Sequence, residues 1–243
     1  MSIKLKLFFS GLGLFFFFIF FSYLVHRDLF TQFDFNDTVR LQDHISRRFD
    51  GFFSFLSDVG KFEVMMVVLL IIMGFWVVKK RLWAAVGAFV LFGSFHLIEL
   101  YGKYFVNHPP PPHFMLRTEN IMNFPQFYVR SDFSYPSGHA GRAAFISSIL
   151  IIMILNSKLS QGKKIVLCSL IVAYDLVMIV SRVYLGEHWS SDVIGGSILG
   201  LGFGLIAASL FVKKTKETKE ESKTSKSSLS KLFKYRLKIV AED

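Results

Sequence analysis

Cysteine is nearly absent: Cys168 is the single one in 243 residues, which excludes an intramolecular disulfide. Proline is scarce too, with six residues, four of them consecutive from Pro109 to Pro112. No internal repeat of useful period is present, so a solenoid or array is excluded. Nor does a small-x-small cleavage pattern follow the first apolar run, where the chain reads Ser22-Tyr23-Leu24-Val25. That run is expected to be an uncleaved anchor rather than a signal peptide.

Apolar residues, by contrast, are plentiful and segregated. The chain is 52% hydrophobic, with a mean hydropathy of +0.46. The runs fall at about 7–24, 62–78, 82–102, 137–155, 165–181 and 193–212, most of them near the roughly 20 residues a helix needs to cross a bilayer. The fourth reaches that length only by taking Arg142 inside. The expected fold is all-α, a bundle of six transmembrane spans forming one domain over residues 1–212. In the first outer connection Phe35, Val39, Ile45, Phe49, Phe52, Phe53 and Leu56 recur at roughly helical spacing, predicting helices in the interface plane. Gly196, Gly200 and Gly204 line one face of the last span and predict close helix packing.

The net charge is +10, and its placement decides what it means. Ten basic residues lie in the tail, 213–243; others cluster at Lys4 and Lys6, Lys79 to Arg81, and Lys158 to Lys164. In a six-span chain all these clusters fall on one side, which puts both termini in the cytoplasm of a multi-pass cell-membrane protein. The Lys/Glu/Ser-rich tail is expected to be disordered, with anionic membrane lipid rather than nucleic acid as its partner.

The polar residues at the span ends gather on the opposite, outer side. Lys103 ends the third span; Ser137, Gly138 and His139 open the fourth; Arg182, His188 and Asp192 lie between the fifth and sixth. His188 and Asp192 are four apart, so a helical turn places them on one face. A carboxylate on one imidazole nitrogen presents the other as nucleophile or base. Arg182 offers a fork of donors suited to phosphate oxygens. Ser137 and Gly138 stand at a helix start, where free N–H groups favour an anion, and His139 is placed to protonate a leaving group.

Pro136-Ser137-Gly138-His139 and Ser181-Arg182-x5-His188-x3-Asp192 resemble the second and third signatures of the type 2 phosphatidic acid phosphatases. The resemblance runs from the third span to the sixth. It implies a membrane lipid phosphatase with a phosphohistidine on His188 oriented by Asp192, and His139 as acid. It also implies Lys103, Ser137, Gly138 and Arg182 as phosphate ligands. The implied partner is a lipid phosphate or pyrophosphate: polyprenyl pyrophosphate, phosphatidylglycerol phosphate, phosphatidic acid or a lipid A phosphate. A phosphotransferase using the same residues, or a non-catalytic protein of this fold, are the alternatives.

The sequence departs from the first signature, Lys-x6-Arg-Pro: counted from Lys103, the Arg falls on Pro110 and the Pro on Pro111. Arg117, Arg130 and Arg142 are the candidate substitutes. Arg142 is assigned the phosphate role, because a charge inside a span costs roughly 2.5–3.5 kcal/mol and seldom lacks a reason. Pairing with Glu99 or Asp175 is its competing role. His96, Glu99 and Lys103 share a helix face, which suits an ion pair and an orienting role. His108 and His113 flank the four prolines and, in a polyproline helix, stand roughly 15 Å apart, too far for one ion. That stretch is expected to be a stiff strut. No metal site and no cofactor are expected.

Overall fold

The computed structural model of the chain describes residues 1–118 and 133–212. The basic tail and Arg130 lie outside the described residues. Among the latter there are α-helices and short 3-10 turns but no strand: α1 Ile3–His26, α2 Thr31–His44, α3 Asp50–Val59, α4 Phe62–Val78, α5 Leu82–Phe105, α6 Gly138–Leu155, α7 Gln161–Tyr184 and α8 Ser190–Phe211. Five of them, α1, α5, α6, α7 and α8, are long and apolar enough to cross a membrane. α4, at 17 residues, passes only together with the 3-10 turn and α3 before it, from which it is bent by 47°. Among the described residues the chain is therefore an all-helical membrane protein with five such helices, or six if the bent pair is one span.

Several helices outrun their apolar cores, α7 by four residues at its start (Gln161 against 165). A helix satisfies its own backbone, so continuing it past the hydrocarbon spares the chain unpaired polar groups at the bilayer edge.

α8 is the central element, with α6 on one side and α1 on another. Lipid tails are as apolar as leucine, so close approach of backbones, not expulsion from water, drives helix pairing here. The glycine stripe provides that approach. A Cβ on Gly196 would run into the Ser137 carbonyl, one on Gly200 into Gly141 and one on Gly204 into Phe145, all on α6 or its first turn. Gly11 of α1 meets α8 in the same way, at Gly202 and Ile206. Aromatic rings fill the rest: Trp76 stacks on Phe211 at 5.2 Å, and Phe92 packs on Phe62 and Phe145.

α2 and α3 fold across the ends of α7 and α8 with their polar faces inward. Asp34 and Thr38 of α2, and Asp50, Ser54, Ser57 and Asp58 of α3, are buried, while Phe33, Phe35, Phe52 and Phe55 stay exposed. Apolar residues outward and polar residues inward suit helices that lie in the bilayer interface over a polar site. Gln42 anchors the cover by donating to the carbonyls of Met115 at 2.7 Å and Tyr184 at 2.8 Å.

Candidate active site

Chain direction alone brings the polar span ends together. α5 ends, α6 begins, α7 ends and α8 begins on one face of the bundle, carrying Lys103, Ser137 to His139, Arg182, and His188 with Asp192. The short turn from α7 to α8 folds because Gly186 takes φ +67°, a left-handed conformation that glycine adopts without strain. A side chain there would also strike the Met115 carbonyl.

Asp192, fully buried in the first turn of α8, organises the candidate pair. Its Oδ2 lies 3.3 Å from Nδ1 of His188 and accepts the Trp189 N–H at 3.0 Å. Nε2 of His188 makes no hydrogen bond among the described residues. Burial holds the His188 imidazole below its usual pKa of 6.5; Asp192 opposes this, while Arg182 and Lys103 reinforce it. The ring is thus neutral at pH 7, with a lone pair free on Nε2, which is the nucleophilic form.

The backbone ties the two helix starts into one unit, with Ser137 N–H donating to the Asp192 carbonyl at 2.9 Å. No side chain caps α6, so its first N–H groups are unclaimed by a cap. The Ser137 hydroxyl and Arg182 Nε are buried polar atoms without a hydrogen-bond partner. Buried donors seldom go unpaired. Two of them beside an uncapped helix start suit an anion. The rest of the Arg182 guanidinium is held by Ser57 of α3 and by Glu187. His139 packs at the α3–α4 corner, where a Cβ added to Gly60 would be 3.1 Å from its ring. With His188 across the site, the charged groups that bear on His139 include Arg182, Arg142 and Lys103.

Those last two cations meet on Glu99. Lys103 Nζ lies 3.0 Å from it, an Arg142 terminal nitrogen 3.6 Å and His96 Nε2 3.9 Å. Arg142 also donates through Nε to the Gly60 carbonyl at 3.1 Å. Of the two partners named for Arg142 from sequence, Glu99 is the one found; Asp175 instead accepts from Ser147 at 2.8 Å. Arg117 packs over the Tyr184 ring, 5.1 Å from its centroid, and Arg130 lies outside the described residues.

Two participants escaped the sequence reading. His108, placed there only at the end of a stiff proline strut, is 4% exposed, and its Nδ1 lies 2.7 Å from Asp192 Oδ1. Asp34 of α2 lies 3.4 Å from the other ring nitrogen of His108 and accepts from the N–H and hydroxyl of Ser191 at 2.8 and 2.7 Å. The usable signals were a histidine five residues after Lys103 and a carboxylate among the apolar residues of a helix. The proline strut itself is anchored, with Trp189 Nε1 donating to the Pro109 carbonyl at 2.7 Å.

The fold is that of an integral-membrane phosphatase family. The sequence model of the PAP2 superfamily matches residues 81–216, and the chain belongs to that superfamily. It is 27% identical over 150 residues to phosphatidylglycerophosphatase B of Bacillus subtilis, covering 60% of this chain and 67% of that protein. It is 35% identical over 88 residues to undecaprenyl-diphosphatase of Sulfolobus acidocaldarius, 35% of this chain and 38% of the relative. Among solved structures, a transmembrane PAP2-type phosphatidylglycerolphosphate phosphatase from Bacillus subtilis shares the fold with a TM-score of 0.64 at 21% identity, over 81% of this chain and 93% of that one. Aquifex aeolicus LpxE shares it at 0.52 and 20% identity, over 72% and 94%.

Proposed function

We propose that the chain hydrolyses the phosphate monoester or pyrophosphate of a membrane lipid through a phosphohistidine on His188. The observation that carries this reading is the open Nε2 of His188, fixed by Asp192 beside the uncapped start of α6 and the unpaired donors of Ser137 and Arg182. The phosphate sits between Lys103, the Gly138 N–H, Ser137, Arg182 and Arg142. The Nε2 lone pair forms the N–P bond as the bond to the leaving oxygen breaks, and His139 gives that oxygen its proton. Neutral His139 then takes a proton from water, the hydroxide attacks phosphorus, and the N–P pair returns to Nε2 as orthophosphate leaves. Positioning and charge neutralisation supply most of what phosphoryl transfer needs.

A lipid substrate is supported by a crevice of about 300 Å³ between α6, α7 and α8, which begins at Ala140, next to His139. Its α6 wall runs from Ala140 to Ile152, a stripe about 18 Å long at the helical rise. A hydrocarbon chain fits such a wall better than a soluble sugar. The names of the Bacillus and Sulfolobus relatives favour phosphatidylglycerol phosphate or a polyprenyl pyrophosphate as substrate. The basic clusters stand at the helix ends opposite the site, which supports cytoplasmic termini and chemistry on the outer face.

Phosphate release from a panel of lipid phosphates in detergent, wild type against His188→Ala, tests the activity. Near-normal release by the variant overturns the phosphohistidine. Cysteines at Asn107 and Glu187 are expected to react with an impermeant thiol reagent on intact cells, and one at Ser160 only after the membrane is opened. The reverse pattern overturns the topology.

A further inference from the structure

The geometry points to His108 and Asp34 as a positioning pair that sets the basicity of the nucleophile: His108 bridges two carboxylates and offsets the charge of Asp192, so that His188 stays unprotonated. The inference rests on His188 as nucleophile and adds two residues to the machinery.

The arrangement is a line of four groups. Asp34 faces one nitrogen of His108 at 3.4 Å; the other nitrogen faces Asp192 at 2.7 Å; the second oxygen of Asp192 faces His188 at 3.3 Å. Each nitrogen of His108 thus meets a carboxylate, and an imidazole can satisfy both only by carrying two protons. Burial disfavours that charged form, but the hydrogen bonds and charges of Asp192 and Asp34 outweigh it and raise the His108 pKa to about 9. The ring is therefore an imidazolium at neutral pH. The ionisable groups facing it are Asp34 from α2, Asp192 from α8 and Tyr135, whose ring stands edge-on at 6.4 Å. Those acting on His188 are Asp192, Arg182 and Lys103, with His139 across the site.

The consequence follows from charge alone. A carboxylate serving only His188 would stabilise the protonated form of that ring and block its lone pair. A cation on the other oxygen weakens that pull while leaving the orienting hydrogen bond in place. Neither partner of the pair wavers: the His108 carbonyl accepts from Ser134 N–H at 3.0 Å, and Asp34 is locked by Ser191. The segment that carries Pro110 where the family's first signature has arginine still delivers a cation, onto Asp192 rather than the phosphate.

The test is the pH profile of kcat/KM for phosphate release by full-length His108→Gln, His108→Ala and Asp34→Asn in detergent, with an imidazole NMR titration of His188. Glutamine keeps a donor for Asp192 without the charge. In His108→Gln the acid limb and the His188 titration are expected to move to higher pH by about one unit. Activity should recover on the alkaline side of the new limb. Asp34→Asn, which keeps His108 but lessens its charge, should move the limb the same way by less, and His108→Ala should add a loss of kcat at every pH. A limb that stays in place in both His108→Gln and Asp34→Asn while kcat falls uniformly assigns the pair to packing and overturns the inference. If His188→Ala retains turnover the phosphohistidine reading itself fails; if it is dead and the limb does not move, only the His108 assignment fails.

Discussion

Two buried carboxylates divide the site, and they are used differently. Asp192 holds two imidazoles at fixed distances, 2.7 and 3.3 Å, and leaves one ring nitrogen of His188 open. Glu99 gathers Lys103, Arg142 and His96 at 3.0 to 3.9 Å. In the proposed mechanism the first half supplies the nucleophile, unprotonated at neutral pH. The second, in the same proposal, holds positive charge beside the phosphate without leaving it uncompensated in a membrane bundle.

The sharpest way to break this division is at the Asp192 half. His188→Ala is expected to lower phosphate release by about a thousandfold or more, since it removes the proposed nucleophile. Asp192→Asn should lose roughly a hundredfold or more through the wrong tautomer, with substrate binding retained. Purified-enzyme kinetics with a thermal melt on each variant check both.

At the Glu99 half the losses should be smaller and graded. Arg142→Ala is expected to cost about a hundredfold, as removal of one charged donor does. Arg142→Lys should cost about tenfold, because a point charge does not reproduce the guanidinium fork. Arg117→Ala and Arg130→Ala should be milder than either. If Arg142→Ala folds with unchanged kinetics while a loop arginine proves essential, the compensating cation lies in the loop.

The pH dependence of stability separates the halves further. His108 has a folded pKa of about 9 against 6.5 unfolded, so its contribution is complete below about pH 6.5 and is lost as pH rises through about 9. The melting temperature should fall over that window in the wild type and fall less in His108→Gln. The smallest expected effect is none at all: EDTA should leave phosphate release unchanged, and restoration by added Mg²⁺ or Zn²⁺ after a loss would contradict the all-side-chain mechanism.

The parts legible in the sequence are those encoded over short spans. Runs of apolar residues announced the helices, four-residue steps announced the α8 glycine face, and the His188–Asp192 spacing announced the pair. Arg142 and Glu99 were legible as charges needing partners, since few such residues occur within apolar runs. What escaped was contact between distant segments. His108 meets Asp192 across 84 residues and Asp34 meets Ser191 across 157, and no periodicity signals either. The break between α3 and α4 was hidden for another reason: the apolar run of α4 reads as a whole span, although it is 17 residues long and bent away from the helix before it.

The most direct test of the account is to trap the intermediate. Wild-type protein mixed with lipid substrate labelled in its terminal phosphate, quenched in alkali during turnover and mapped by peptide, should carry acid-labile, alkali-stable label on His188. His188→Ala should carry none. Label on another residue, or turnover without label at any quench time under conditions that preserve phosphohistidine, would contradict the mechanism.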